Sequence, residues 1–207
     1  MIARIAAATA VALLAGLLPA QAETLRFDVL RNDSQIGTHV IAIDQKGDST
    51  KVDIATNVAV KIAFVTAYRF THEGHETWQA QALTALTSQT NDDGKKHQLA
   101  VRGEADRLAV HADGHDTTAE AMGLGSLWNA RFLAQGRLLN TLDGSVMAVD
   151  IRDAGPETLQ GPRGPLAAHH FVIRGDLVRD VWYDEKGLLA RLTMAGSDGS
   201  PVEYRRQ

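Results

Sequence analysis

Lys51-Val52-Asp53-Ile54-Ala55-Thr56-Asn57-Val58-Ala59-Val60-Lys61 is the stretch that decides the fold. Apolar Val52, Ile54, Val58 and Val60 alternate with polar Lys51, Asp53, Asn57 and Lys61, a period of two that belongs to a strand with one buried and one solvated face. Leu25, Phe27 and Val29 alternate with Arg26 and Asp28 in the same way. Similar strands are expected near 35–45, 66–79, 82–91, 96–104, 106–112, 145–153, 166–175, 177–184, 187–196 and 200–206. Asp-Gly pairs at 93–94, 113–114, 143–144 and 198–199 punctuate these runs, and such pairs supply the two positive-φ positions of a type I′ hairpin turn. An antiparallel meander follows. With about ten strands and almost no helix, a flat sheet would leave one face bare, so the expected fold class is all-β, mainly antiparallel, a curved sheet or half-open β-barrel.

One short helix is expected at 127–135. Ser126 is placed to cap it, Leu127, Trp128 and Phe132 fall at helical spacing, and Gly136 can end it. So brief a helix needs its apolar stripe packed on the sheet, where it would plug the mouth or the concave face. The segment Gly155–Pro165 (GPETLQGPRGP), rich in Pro and Gly, reads as a loop.

The first 22 residues carry a lone Arg4, an apolar run from Ile5 to Leu18, and Ala20 and Ala22 ahead of polar Glu23. That is the pattern of a secretory signal peptide, with cleavage expected between Ala22 and Glu23. The apolar run is shorter than the roughly 20 residues of a spanning helix, and no second run follows, so no membrane span is expected after cleavage. Residues 23–207 are expected to form one β domain, periplasmic or secreted. Loss of Arg4 leaves 20 of the 21 Lys and Arg against 25 Asp and Glu, a net charge of −5. An acidic balance without a basic cluster argues against nucleic acid as a partner. The chain has no cysteine, which excludes disulfides, thiolate metal sites and a thiol nucleophile.

Tyr68–Trp78 (YRFTHEGHETW) is the segment most loaded with chemistry. On one strand, Tyr68, Phe70, His72, Gly74, Glu76 and Trp78 share a face, while Arg69, Thr71, Glu73, His75 and Thr77 share the other. Tyr68, Phe70, His72, Glu76 and Trp78, with Trp128 as a lid, are the candidate ligand-binding residues. His72 and Glu76 are roughly 13 Å apart on a regular strand, too far to share a proton unless Gly74 forms a bulge. The alternative is an inward aromatic row in a filled core.

No metal site or cofactor is expected. His72-Glu73-Gly74-His75 is one residue short of the HExxH spacing, and on a strand its two histidines face opposite ways. His111 and His115 are offset across the Asp113-Gly114 turn, and His169 and His170 diverge. Catalytic residues are not assigned: there is no GxSxG elbow and no phosphate-binding glycine loop. Trp182 and Tyr183 point to opposite faces of a strand, so at most one is inward.

Several short motifs occur in order along the chain: Phe27-Asp28-Val29, Gln35-Ile36-Gly37, Glu76-Thr77-Trp78, Thr90-Asn91-Asp92-Asp93-Gly94, Ser126-Leu127-Trp128-Asn129 and Trp182-Tyr183-Asp184. In this order the chain resembles the bacterial domain-of-unknown-function family numbered 6134. That family has no established activity, so the resemblance implies a secreted β fold and no site. By looser analogy the fold is similar to the half-open barrels of periplasmic lipoprotein carriers.

The first functional expectation is a non-enzymatic binding or carrier module for a small apolar or lipid-like ligand held on a hollow concave face. The second is a cell-envelope structural or interaction protein with a filled core. An extracytoplasmic hydrolase is third. A spanning outer-membrane barrel is fourth, because aromatic girdles and outward apolar bands are missing.

Overall fold

The computed structural model describes residues 21–62 and 64–207. Nearly all of the expected signal peptide lies outside the described residues. Its last two residues, Gln21 and Ala22, begin the first strand and pair with Gln45 and Asp44.

Eight antiparallel strands run outward in sequence: β1 (Gln21–Arg31), β2 (Ser34–Lys46), β3 (Ser49–Ile62), β4 (Val65–Gln79), β5 (Ala82–Asp92), β6 (Lys95–Glu104), β7 (Arg107–Ala112) and β8 (His115–Glu120). The chain then starts again at the opposite edge with β9 (Gly123–Leu124) and β10 (Arg137–Leu139), the two strands of a short parallel pair. It returns through β11 (Val146–Gly161), β12 (Gly164–Gly175), β13 (Arg179–Asp184), β14 (Leu189–Ala195) and β15 (Pro201–Arg206). β15 pairs with β1, closing the order β8-β7-β6-β5-β4-β3-β2-β1-β15-β14-β13-β12-β11-β10-β9 into one 15-stranded sheet. Only Ala121 and Met122 separate β8 from β9, so the two edges must approach each other and the sheet must roll up. An Arg137–Glu120 ion pair at 3.5 Å links β10 to β8 across that seam.

The antiparallel, curved all-β class stands, but with fifteen strands instead of about ten. The extra strands lack the signal that the expectation used. β8 (His115-Asp116-Thr117-Thr118-Ala119-Glu120) has no apolar alternation, and β9 and β10 are two and three residues long.

The segment 155–165 is also corrected, because it forms the end of the β11–β12 hairpin around a turn at 162–163. Pro156 fits there for a specific reason. β10 pairs with β11 only at Val146–Ala148, so Pro156 lies on a free edge where its missing N–H breaks no ladder. Gly155, with φ +92°, absorbs the adjacent bulge.

Positive φ at both Asp93 and Gly94, and at both Asp113 and Gly114, makes the two expected I′ turns. Asn32 and Asp33 make a third. At 143–144 and 198–199 only the glycine is left-handed, and the loops are longer.

The inward faces carry one continuous core. Leu25 and Phe27 of β1, Ile41 of β2, Val52 of β3, Ile173 of β12 and Val181 of β13 are fully buried in it. At about 1.5–3 kcal/mol per large apolar side chain, such burial is the main favourable contribution to folding. Two loops enter the barrel from the seam side. Gly125–Gln135 brings Leu127, Trp128 and Phe132 into the core. The β10–β11 loop reaches across to β5, where Ser88 Oγ donates to Thr141 O at 2.6 Å.

The expected helix is shorter than the spacing suggested. It is a 3₁₀ helix over Ala130–Ala134, and Asn129, not Ser126, caps it by accepting from Arg131 N at 3.0 Å. Leu127 lies at φ +51°. Trp128 and Ala130 bond instead to the β13–β14 hairpin, Leu189 N donating to Trp128 O (3.1 Å) and Ala130 N to Gly187 O (2.9 Å). Extended pairing with that hairpin takes the residues that the helix would have used.

Candidate functional site

β4 presents the row that period two requires. His72, Gly74, Glu76 and Trp78 are buried, Tyr68 and Phe70 half-buried, and Arg69, Glu73 and His75 exposed. Gly74 keeps the ladder regular, pairing with Ile54 and Ser88. The extra residue of β4 is instead Ala67, opposite Val60 and Lys61 of β3, while Thr84 of β5 is the extra residue opposite Thr77 and Trp78. The six candidate residues therefore divide into an aromatic cage around Glu76, a polar layer at His72, and a half-open apolar end at Tyr68 and Phe70.

Glu76 is 2% exposed. Its Oε2 accepts from two indoles, Trp78 Nε1 and Trp128 Nε1, each at 2.9 Å. Arg131 lies over both rings, 4.4 Å from the Trp78 centroid and 4.6 Å from that of Trp128. Phe132 packs beside Trp78 with centroids 5.3 Å apart. Burial pushes the Glu76 carboxyl above its usual range, and Ser126, the two indoles and Arg131 only partly offset that rise. Ser126 stands beside the carboxylate, close enough to lower its pKa, though among the described residues neither its Oγ nor Glu76 Oε1 reaches full hydrogen-bond geometry. Nε and Nη2 of Arg131 are likewise enclosed without an acceptor. Burial holds the guanidinium below its ordinary value, against the attraction of Glu76.

Two segments distant in sequence, β4 and the loop after β9, meet at this carboxylate, and a third buttresses the loop. Tyr183 on β13 donates its hydroxyl to Leu127 O at 2.9 Å, fixing the loop that carries Trp128. Asp184 then holds the β13–β14 turn, accepting from Lys186 N (3.0 Å) and Leu188 N (2.9 Å). Trp182 points the other way, into a small outer cluster with Leu159, Ala168 and Ala190. It stacks there on His170 at 4.1 Å.

One step along the barrel, the directly opposed residues His39, Thr56, His72 and Thr90 form a polar layer across β2 to β5. His39 Nδ1 pairs with Thr56 Oγ1 at 2.8 Å, and His72 Nδ1 with Thr90 Oγ1 at 2.9 Å. Burial depresses both imidazoles, His39 to about 3 with help from His72, and His72 to about 4. Both are neutral near pH 7, as groups in a dry interior should be. His75, on the opposite face of β4, bonds to Asp53 in solvent. Among the described residues no group of three His, Asp or Glu side chains is placed to hold a metal ion.

Two depressions adjoin these residues. A cleft of about 160 Å³ opens beside Arg131, Trp78 and Phe132 at the seam. A groove of about 270 Å³ lies among Glu73, His75, Gln98 and His111 near the Asp113-Gly114 turn.

The model of the domain of unknown function DUF6134 matches residues 27–207. The chain belongs to this family. Of the six motifs that carried the resemblance, Glu76-Thr77-Trp78 and Ser126-Leu127-Trp128-Asn129 meet at Glu76, and Trp182-Tyr183-Asp184 buttresses the loop that carries Trp128. No protein of curated function matches the sequence. Among solved structures, a β-barrel-like protein of the DUF1849 family from Brucella abortus is similar, with a TM-score of 0.67 at 8% identity. The match covers 92% of this chain and 96% of that one, and at such low identity it shows a shared fold alone.

The sequence left out Arg131, Ser126's place beside the carboxylate, and the His39–Thr56–Thr90 layer. His39 was recoverable: it lies two residues before the buried Ile41 of β2 and so faces inward. Arg131 carried no comparable signal.

Proposed function

We propose that the protein is a non-enzymatic interaction protein of the cell envelope whose barrel is filled by its own side chains. The observation that carries this reading is the closed cage: Trp78, Trp128 and Phe132 are 3%, 3% and 2% exposed around a carboxylate already engaged by two indole donors. A general acid or base must reach the proton that it moves, and Glu76 is sealed from solvent. Export out of the cytoplasm is supported by Arg4, the Ile5–Leu18 run and the Ala20 and Ala22 pair. Cleavage after Ala22 would trim only two exposed residues from β1, both paired with β2 alone.

The carrier reading draws on one specific feature. At the end of the barrel away from the cage, Val60, Tyr68 and Phe70 are only half-buried against Val29, Val58 and Val202, and an apolar ligand would find its contact there. Titration with a fluorescent fatty-acid probe separates the two readings. The filled-core reading expects no saturable binding; saturable binding weakened by Phe70→Ala would replace it with the carrier.

A further inference from the structure

β3 and β4 are longer than their neighbours. β2 stops pairing with β3 at Val58, and β5 stops pairing with β4 at Phe70, with one further backbone bond from Asp93 N to Arg69 O. The β3–β4 ladder nevertheless continues through Val60↔Tyr68 to Ile62↔Val65. Residues 59–62 and 65–68 therefore form a two-stranded ribbon that runs about 13 Å past the last paired residue of β2, at roughly 3.3 Å per residue, with its root packed on the barrel and its tip free.

The composition of this ribbon is unlike the rest of the chain. Ala59–Arg69 (AVKIAFVTAYR) contains Lys61 and Arg69 and no acidic residue, in a protein of net charge −4. Phe64 at its tip is 103% exposed and Val65 69%. Two-stranded ribbons are marginal in water, and large exposed apolar side chains in a cluster mark a surface that another phase or molecule covers. The root is secured, because Val60 and Tyr68 pack on Val29, Val58 and Val202. The nearest carboxylates are engaged at that root, Asp92 accepting from the Tyr68 hydroxyl (2.7 Å) and Asp93 from Arg69 N (3.3 Å).

We infer that the β3–β4 ribbon docks the protein onto an anionic lipid bilayer, Phe64 and Val65 entering the headgroup–acyl boundary while Lys61 and Arg69 meet lipid phosphates. Apolar and aromatic residues flanked by cations are the composition of an interfacial anchor. At the same end of the strands the rim is of mixed charge, turn acids Asp33, Asp113, Asp143 and Asp198 standing with exposed Lys95 and Lys96 and with Arg31, which pairs with Asp198. Insertion is led by the ribbon tip, which projects beyond that rim. The inference rests on the interaction reading for its context and names the partner; an internal ligand is a separate question, decided by the fatty-acid probe.

Co-sedimentation of residues 23–207 with vesicles tests it, one set of phosphatidylcholine alone and one containing phosphatidylglycerol. Binding is expected on the phosphatidylglycerol vesicles and to weaken with salt. The Phe64→Asp/Val65→Asp variant should lose it, with an unchanged melting temperature because both side chains are exposed. Lys61→Ala with Arg69→Ala should weaken it by about twenty-five-fold, at about fivefold per cation. A Phe64→Trp variant should show a blue-shifted emission on those vesicles. Absence of binding, or binding indifferent to the Asp substitutions, overturns the inference. So does a concentration-dependent dimer that Phe64→Asp abolishes without vesicles present, which would assign the tip to a second copy of the chain.

Discussion

Glu76→Leu and Glu76→Gln should separate sharply, though both remove the same charge. In the folded protein the indoles of Trp78 and Trp128 donate to one oxygen of Glu76, and all three side chains are buried. Leucine leaves both donors without an acceptor, at about 1–3 kcal/mol each, so the loss should be roughly 2–6 kcal/mol. Glutamine keeps an oxygen in place, and its cost should be within about 1 kcal/mol of zero. The pH dependence gives a second, independent reading. Glu76 titrates higher in the folded protein than its ordinary 4.5 because burial disfavours the charged form. The unfolded chain then loses its proton first, so the stability contributed by the neutral carboxyl is full below pH 4.5 and falls as pH rises toward the folded value. Urea unfolding followed by tryptophan emission at several pH values above 4.5 measures this directly, since two of the three tryptophans report on the cage. Subtracting the Glu76→Gln curve from the wild-type curve cancels the other titrating groups. The reasoning fails if Glu76→Leu is as stable as Glu76→Gln, or if the difference curve is flat or rises with pH.

Trp78→Ala should cost about 3–5 kcal/mol, the range for removing a buried large aromatic, seen as a lowered urea midpoint; a cost under about 1 kcal/mol would mean that the ring does not fill the core. His39 and His72 titrate low when folded, at about 3 and about 4, so the stability they contribute is present above pH 6.5 and is lost as pH falls toward those values. His72→Asn should flatten that acid limb in urea titrations between pH 6.5 and 4, and an unchanged limb would refute the burial. Gly37→Ala should destabilise the β2–β3 pair severely, because a Cβ there would lie 2.1 Å from Asn57 O; a thermal melt within a degree or two of wild type would contradict the register.

The inward row of β4 was legible in the sequence because Tyr68, Phe70, His72, Glu76 and Trp78 fall at a period that needs only local geometry. The opposite facings of His72 and His75, and of Trp182 and Tyr183, followed for the same reason. The filling of the barrel was not legible. Trp128 reaches Glu76 only after the chain has crossed from β8 to the far edge of the sheet, and Tyr183 and Leu189 must then hold it from the returning half. β8 was missed because an exposed strand with neighbours on one side needs no apolar alternation. Pro156 concealed the end of β11 because its tolerance depends on the shortness of β10, a property of the sheet and not of the segment. Two of the six resemblance motifs, each only three or four residues long, acquired physical meaning once they met at one carboxylate.

Native mass spectrometry of the protein purified from its own source cells tests the central claim, a barrel filled by its own chain, most directly. The expected result is a single species with the mass of residues 23–207 and no retained small molecule under gentle activation. A stoichiometric lipid-sized adduct that persists in the Phe64→Asp/Val65→Asp variant would place a ligand inside the barrel and contradict the claim.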